Sequence, residues 1–117
     1  MILVYDSKTG NSEKIAQRFK MNSKDFRYYR DTSEDIVIMA RKFYYHENLW
    51  EISLFIEQNK DKILGAIIYD DKNFGREFGN SSLFFEEKGI KVIDIWDKIV
   101  SDVEIQKMEE RLNELSR

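Results

Sequence analysis

Met1-Ile-Leu-Val-Tyr5-Asp6-Ser-Lys-Thr-Gly10-Asn-Ser12 is the stretch around which the chain is organised. Ile2 to Tyr5 is an unbroken apolar run, which fits a strand buried on both faces better than one with a wet side. Asp6 to Ser12 is a polar loop with three hydroxyls and one glycine, and Glu13 to Lys20 reads as a helix with Ile15, Ala16 and Phe19 on one side. A strand, a hydroxyl-rich turn and a helix can aim backbone N–H groups at a phosphate. Ser7, Thr9 and Ser12 add donors, and Gly10 lets the backbone turn without a Cβ clash. The same residue types also cap helices and make turns, so the loop supports both readings. It lacks the Gly-Lys-Ser/Thr ending of a nucleoside-triphosphate loop and the Gly-x-Gly-x-x-Gly of a dinucleotide site.

Composition narrows the alternatives. The 117 residues suit one domain spanning 1–117, and 42% hydrophobic content supports a real core. The absence of cysteine removes disulfides, thiolate chemistry and zinc-finger patterns, while a lone His46 cannot build a multi-histidine metal centre. No metal site and no catalytic residues are assigned. A net charge of −3 argues against a nucleic-acid partner. No apolar run reaches membrane-spanning length and no signal peptide precedes the first strand, so the expected location is the cytoplasm, away from the membrane.

Further strands are expected at Asp25–Tyr29 on a sheet edge, and at Asp35–Ala40, Ile63–Tyr69 and Ile90–Trp96. Helices are expected from Glu47 to Gln58, from Arg76 to Lys88 with Phe78, Ser82 and Phe85 inward, and from Ser101 onward. Gly89 closes the second of these, and the last opens on Ser101-x-x-Glu104 with Ile105, Met108, Leu112 and Leu115 forming its stripe. Strands alternating with helices imply an α/β fold with a five-stranded parallel sheet between two helical layers. Right-handed crossovers favour the order 2-1-3-4-5. In that order the loops after the first, third and fourth strands meet at the carboxyl edge, where a phosphorylated planar ligand such as FMN would fit.

Two segments carry a family resemblance. Asp6-Ser-Lys-Thr-Gly-Asn-Ser12, with Arg18-Phe19 closing the helix, resembles the phosphate loop of small flavodoxins. Asn73-Phe74-Gly75-Arg-Glu-Phe78-Gly79 resembles the Asn-Phe/Trp-Gly-x-x-Phe/Tyr-Gly segment of the NrdI family, the flavodoxin-like activators of class Ib ribonucleotide reductase. The resemblance continues through Ser101–Glu104 into the last helix. It implies an FMN-binding redox protein that docks on the reductase small subunit and takes electrons from a flavin reductase or another donor. It would support assembly of the metal/tyrosyl-radical cofactor by supplying electrons or a reduced-oxygen oxidant. Ser7, Lys8, Thr9, Gly10, Asn11 and Ser12 would hold the phosphate, and Asn73, Phe74 and Gly75 would line the ring.

The departures from the family pattern cluster at the ring. A glycine-rich loop is replaced by Arg41-Lys-Phe43-Tyr44-Tyr-His46, so Phe43 or Tyr44 could stack on the flavin or pack between loop and core. Tyr69-Asp70-Asp71 stands where the family has Ser-Gly-Asn, placing two carboxylates where they would oppose a reduced, anionic ring. Lys98-Ile99 replaces a frequent Gly-Thr. Two further readings remain: a flavin-free protein-binding module, and a generic short flavodoxin carrying electrons to other acceptors.

Overall fold

The computed structural model describes residues 1–6, 11–30, 33–43, 48–70, 81–96 and 100–115. Five strands, β1 (Ile2–Tyr5), β2 (Ser23–Asp25), β3 (Ile36–Arg41), β4 (Ile63–Tyr69) and β5 (Val92–Trp96), form one sheet in the order β2-β1-β3-β4-β5. Every neighbouring pair is parallel. Helices α1 (Asn11–Ala16), α2 (Trp50–Asn59), α3 (Ser81–Glu87) and α4 (Asp102–Leu115) complete a flavodoxin-like three-layer sandwich.

The side-chain alternation of the strands divides the interior into two cores. Leu3, Tyr5, Val37, Met39, Ile67 and Tyr69 face α1 and α4, where Ala16, Ile105, Met108 and Leu112 meet them. Ile2, Val4, Ile36, Ile38, Ala40, Ala66 and Ile68 face α2 and α3, which contribute Ile52, Phe55, Ile56 and Phe85. Central strands covered on both sides need apolar residues at every position, which is why β3 and β4 read as continuous runs. Among the described residues, no helix is long and apolar enough to cross a membrane.

Several local expectations change. The second strand ends at Asp25 instead of running to Tyr29, because the Asp25 carboxylate accepts the Arg27 N–H at 2.9 Å and starts a 3₁₀ turn at Phe26–Tyr28. That turn sets Phe26 and Tyr29 edge-on to Phe55 of α2. Helix α1 starts earlier and stops sooner than expected. Beyond Ala16 the Arg18 and Phe19 amides bond three residues back, and Phe19 then stacks against Trp96. Arg18 reaches across to the Val100 carbonyl at 2.8 Å and the Asp102 carboxylate at 2.7 Å.

In α3 the buried serine is Ser81 rather than Ser82, and the Arg76–Asn80 part of the expected helix, with Phe78, lies outside the described residues. The helix ends as expected at Gly89, with φ of 77°. The Gly89 amide bonds the Glu86 carbonyl and the Ile90 amide bonds that of Phe85, a Schellman closure. Leu115, expected on the buried stripe of α4, is exposed.

Pairing of β4 with β5 shifts register between Ala66 and Ile67. Gly65 makes room there. A Cβ at that position would stand 2.6 Å from Ile93 Cγ1 and 2.9 Å from the Lys91 carbonyl oxygen. The Ile93 carbonyl accepts Arg111 Nη2 of α4 at 3.0 Å, so its backbone oxygen has a partner beside the irregularity.

Candidate functional site at the carboxyl edge

The order β2-β1-β3-β4-β5 reverses direction between β1 and β3, and the crevice outside the strands' carboxyl ends at such a point is where α/β sheets bind ligands. Register brings the ends together: Tyr5 lies beside Met39, Arg41 beside Tyr69, and Tyr69 beside Trp96. The exits are also tied to one another. The Lys42 amide donates to the Tyr69 carbonyl and the Asp70 amide to that of Trp96, both at 2.8 Å.

Four of the expected binding residues, Asn11, Ser12, Phe43 and Asp70, are described. Asn11 opens α1 and is exposed; Ser12 beside it is fully buried, its hydroxyl hydrogen-bonded to that of Tyr69. Asp70 is half-buried just past β4. Phe43 packs into the core on the α2/α3 side, 4% exposed, with its ring 5.1 Å from that of Phe84 and 5.8 Å from that of Phe85. Its amide donates to Ser81 Oγ at 3.0 Å, tying the segment after β3 to the start of α3. Ser12 and Phe43 therefore belong to opposite faces of the sheet. Ser7, Lys8, Thr9, Gly10, Tyr44, Asp71, Asn73, Phe74 and Gly75 lie outside the described residues, as does the Lys98-Ile99 departure.

Two further residues meet at this edge, Arg41 and Tyr69. Arg41, expected in the loop after the third strand, is the last residue of β3 and only 2% exposed, with Nη1 donating to the Lys42 carbonyl at 3.1 Å. Tyr69, expected as a strand end and as part of the Tyr69-Asp70-Asp71 departure, closes β4 and is buried. Arg41 pairs with Tyr69 across β3 and β4, the Tyr69 hydroxyl meets that of Ser12 in α1, and all three side chains are buried.

Beside the end of β1, on the α2 side, lies a cleft of about 230 Å³ bordered by Asp6, Arg27, Asn48, Trp50 and Glu51. Arg27 contacts Asp6 at 3.0 Å, Glu51 at 3.4 Å and Asp25 at 3.5 Å, and lies 4.5 Å from the centre of the Phe26 ring. Burial works to lower the Arg27 pKa, but the Asp6 hydrogen bond and the charges of Asp6, Asp25 and Glu51 outweigh it, so the net direction is up. Trp50 stands 60% exposed at the start of α2. On the other face, burial above all, then Glu13 and Asp25, raises the Tyr5 phenol above its ordinary 10.0 and keeps it neutral. Among the described residues, no group of three or more metal-ligating side chains comes together.

Neither models of protein families nor curated proteins match this sequence.

Proposed function

We propose that the chain is a cytoplasmic, FMN-binding redox protein of the NrdI type, one that supports assembly of the metal/tyrosyl-radical cofactor of class Ib ribonucleotide reductase. The observation that carries this reading is the convergence of the β1, β3 and β4 carboxyl ends at the β1/β3 reversal, with Ser12 and Tyr69 joined there. Bound FMN would supply one- and two-electron chemistry toward oxygen on behalf of the reductase small subunit, after reduction by a flavin reductase or another donor.

The chain's own part is binding and electrostatics. By resemblance, Ser7, Lys8, Thr9, Gly10, Asn11 and Ser12 would hold the phosphate, Asn73, Phe74 and Gly75 would line the ring, and Tyr44 would stack on it. Phe43 anchors the end of β3 to α3 through Ser81 and the rings of Phe84 and Phe85. Asp70, next to Asp71, opposes negative charge on the ligand, while Arg41 supplies positive charge at the same edge.

Titrating the protein into FMN while following flavin fluorescence tests this directly. Stoichiometric quenching is expected, and Thr9→Ala combined with Asn11→Ala should abolish it. Capture of the purified reductase small subunit by the FMN-loaded protein tests the partner.

The burial of Phe43 favours a second reading, a flavin-free protein-binding module, since that ring already fills core space. This reading expects no quenching from a chain that melts cooperatively without cofactor.

A further inference from the structure

β5 ends the sheet, and among the described residues no strand lies beyond it. The Trp96 carbonyl turns inward and accepts the Asp70 amide, so the Ile95 amide one residue earlier points off the sheet. An open edge of this kind is a template for another strand. Here the backbone groups on either side of Asp94 are taken by side chains. The Asp94 carboxylate accepts the Ile95 amide through Oδ1 at 2.8 Å, and Arg111 of α4 donates through Nη2 to the Ile93 carbonyl at 3.0 Å. Arg111 Nη1 lies 3.5 Å from Asp94 Oδ2, which also accepts Trp96 Nε1 at 3.2 Å. A carboxylate and a guanidinium thus take the acceptor and donor places of a neighbouring backbone.

The spacing identifies the strand that would compete for those places. The Ile95 amide and the Ile93 carbonyl sit one residue to either side of Asp94. A second copy turned about a two-fold axis at Asp94 would bring its Ile93 carbonyl to this Ile95 amide, and its Ile95 amide to this Ile93 carbonyl. Ile95 is 41% exposed, so the strand is open to approach at this point. The same turn sets the two Asp94 carboxylates opposite each other, where like charges repel. Asp94 therefore opposes pairing twice, by holding the amide and by its charge.

We propose that Asp94 and Arg111 form a clasp over the free edge of β5 that keeps a second copy of this chain from extending the sheet, and that releasing it yields a two-fold dimer. Both side chains reach solvent, so their ion pair adds little to stability, and an arriving strand meets them directly. What the clasp contributes is exclusion. The axis pairs β5 with itself and uses up that edge, so assembly through it stops at two copies. The device needs no ligand.

The test is sedimentation velocity over a concentration series for the full chain, Asp94→Ala, Arg111→Ala and the double variant, with circular dichroism reporting folding and amide hydrogen exchange read at Ile95. The wild type should stay monomeric. Asp94→Ala should dimerise with a dissociation constant at least about 10-fold below any wild-type value, and the double variant should be tighter still. Arg111→Ala alone should remain close to wild type, because the opposed carboxylates are still present. In Asp94→Ala the Ile95 amide should exchange quickly when dilute and slowly in the dimer. A folded Asp94→Ala protein as monomeric as wild type would overturn the inference. So would a wild type that dimerises as tightly as the variant, or a dimer that leaves Ile95 exchange unslowed. If Asp94→Ala does not fold, Asp94→Thr decides by the same readouts, since it removes the charge and keeps a strand-forming side chain.

Discussion

Gly65→Ala perturbs the sheet at one point with one methyl group. The added carbon would lie 2.6 and 2.7 Å from the Ile93 side chain and 2.9 Å from the Lys91 carbonyl oxygen. Ile93 can turn away, but Lys91 O accepts the Ala66 amide at 2.8 Å, so the backbone contact is relieved only by spreading β4 from β5. Overpacking of this kind costs about 1–3 kcal/mol, and the rigid neighbour argues for at least ~2. At about 2.1 cal/mol/K per residue, unfolding entropy for a chain this size is about 0.25 kcal/mol/K, so the melting temperature should fall by about 8 °C. Thermal melts by circular dichroism, paired with urea titrations, measure it. Ile93→Ala would remove the side-chain clash but not the clash with Lys91 O, so the double variant should recover part of the coupling and not all of it. A Gly65→Ala protein within about 0.5 kcal/mol of wild type would refute the close β4–β5 approach.

Other expectations concern the edge and its supports. Tyr5 is held neutral in the fold, so its contribution is complete below pH 10 and is lost as pH rises through its raised folded pKa; urea titrations from pH 8 to 11 should show a decline that Tyr5→Phe makes shallower. Arg27→Ala should cost about 1 kcal/mol or less, since the guanidinium is partly solvated, and the difference from wild type should shrink in 1 M salt. Ser101 Oγ accepts the Glu104 amide at 3.2 Å, so Ser101→Ala should destabilise by about 1 kcal/mol, with hydrogen exchange quickening first in the opening turn of α4.

The sheet order was legible because both strands at its centre, Ile36–Arg41 and Ile63–Tyr69, carry long apolar runs and are separated by a helix-length segment. Gly89 and Ser101 were legible for a different reason: each acts on its own neighbours, and local chemistry leaves a local signature. The stretch after Asp25 misled because its aromatic residues suit a strand equally well, and only packing on Phe55 and the carboxylate's bond to Arg27 N–H decide for a turn. Isolated glycine in a strand pattern signals a close approach, so Gly65 could have been flagged.

At the carboxyl edge, the strand ends were legible but the bonding between them was not. Nothing near Ser12 announces a bond to a tyrosine 57 positions away, and nothing near Arg41 announces that a cation ends a buried strand. Phe43 illustrates the same limit. Its composition allowed stacking on a ligand or packing in the core, and the separation of the two sheet faces is what assigns its ring to the second.

The most direct measurement is the visible absorption spectrum of the protein after incubation with excess FMN and removal of free flavin by gel filtration. The protein fraction should stay yellow, with both flavin bands present at close to stoichiometric amounts. A colourless protein fraction that is fully folded by circular dichroism would contradict it.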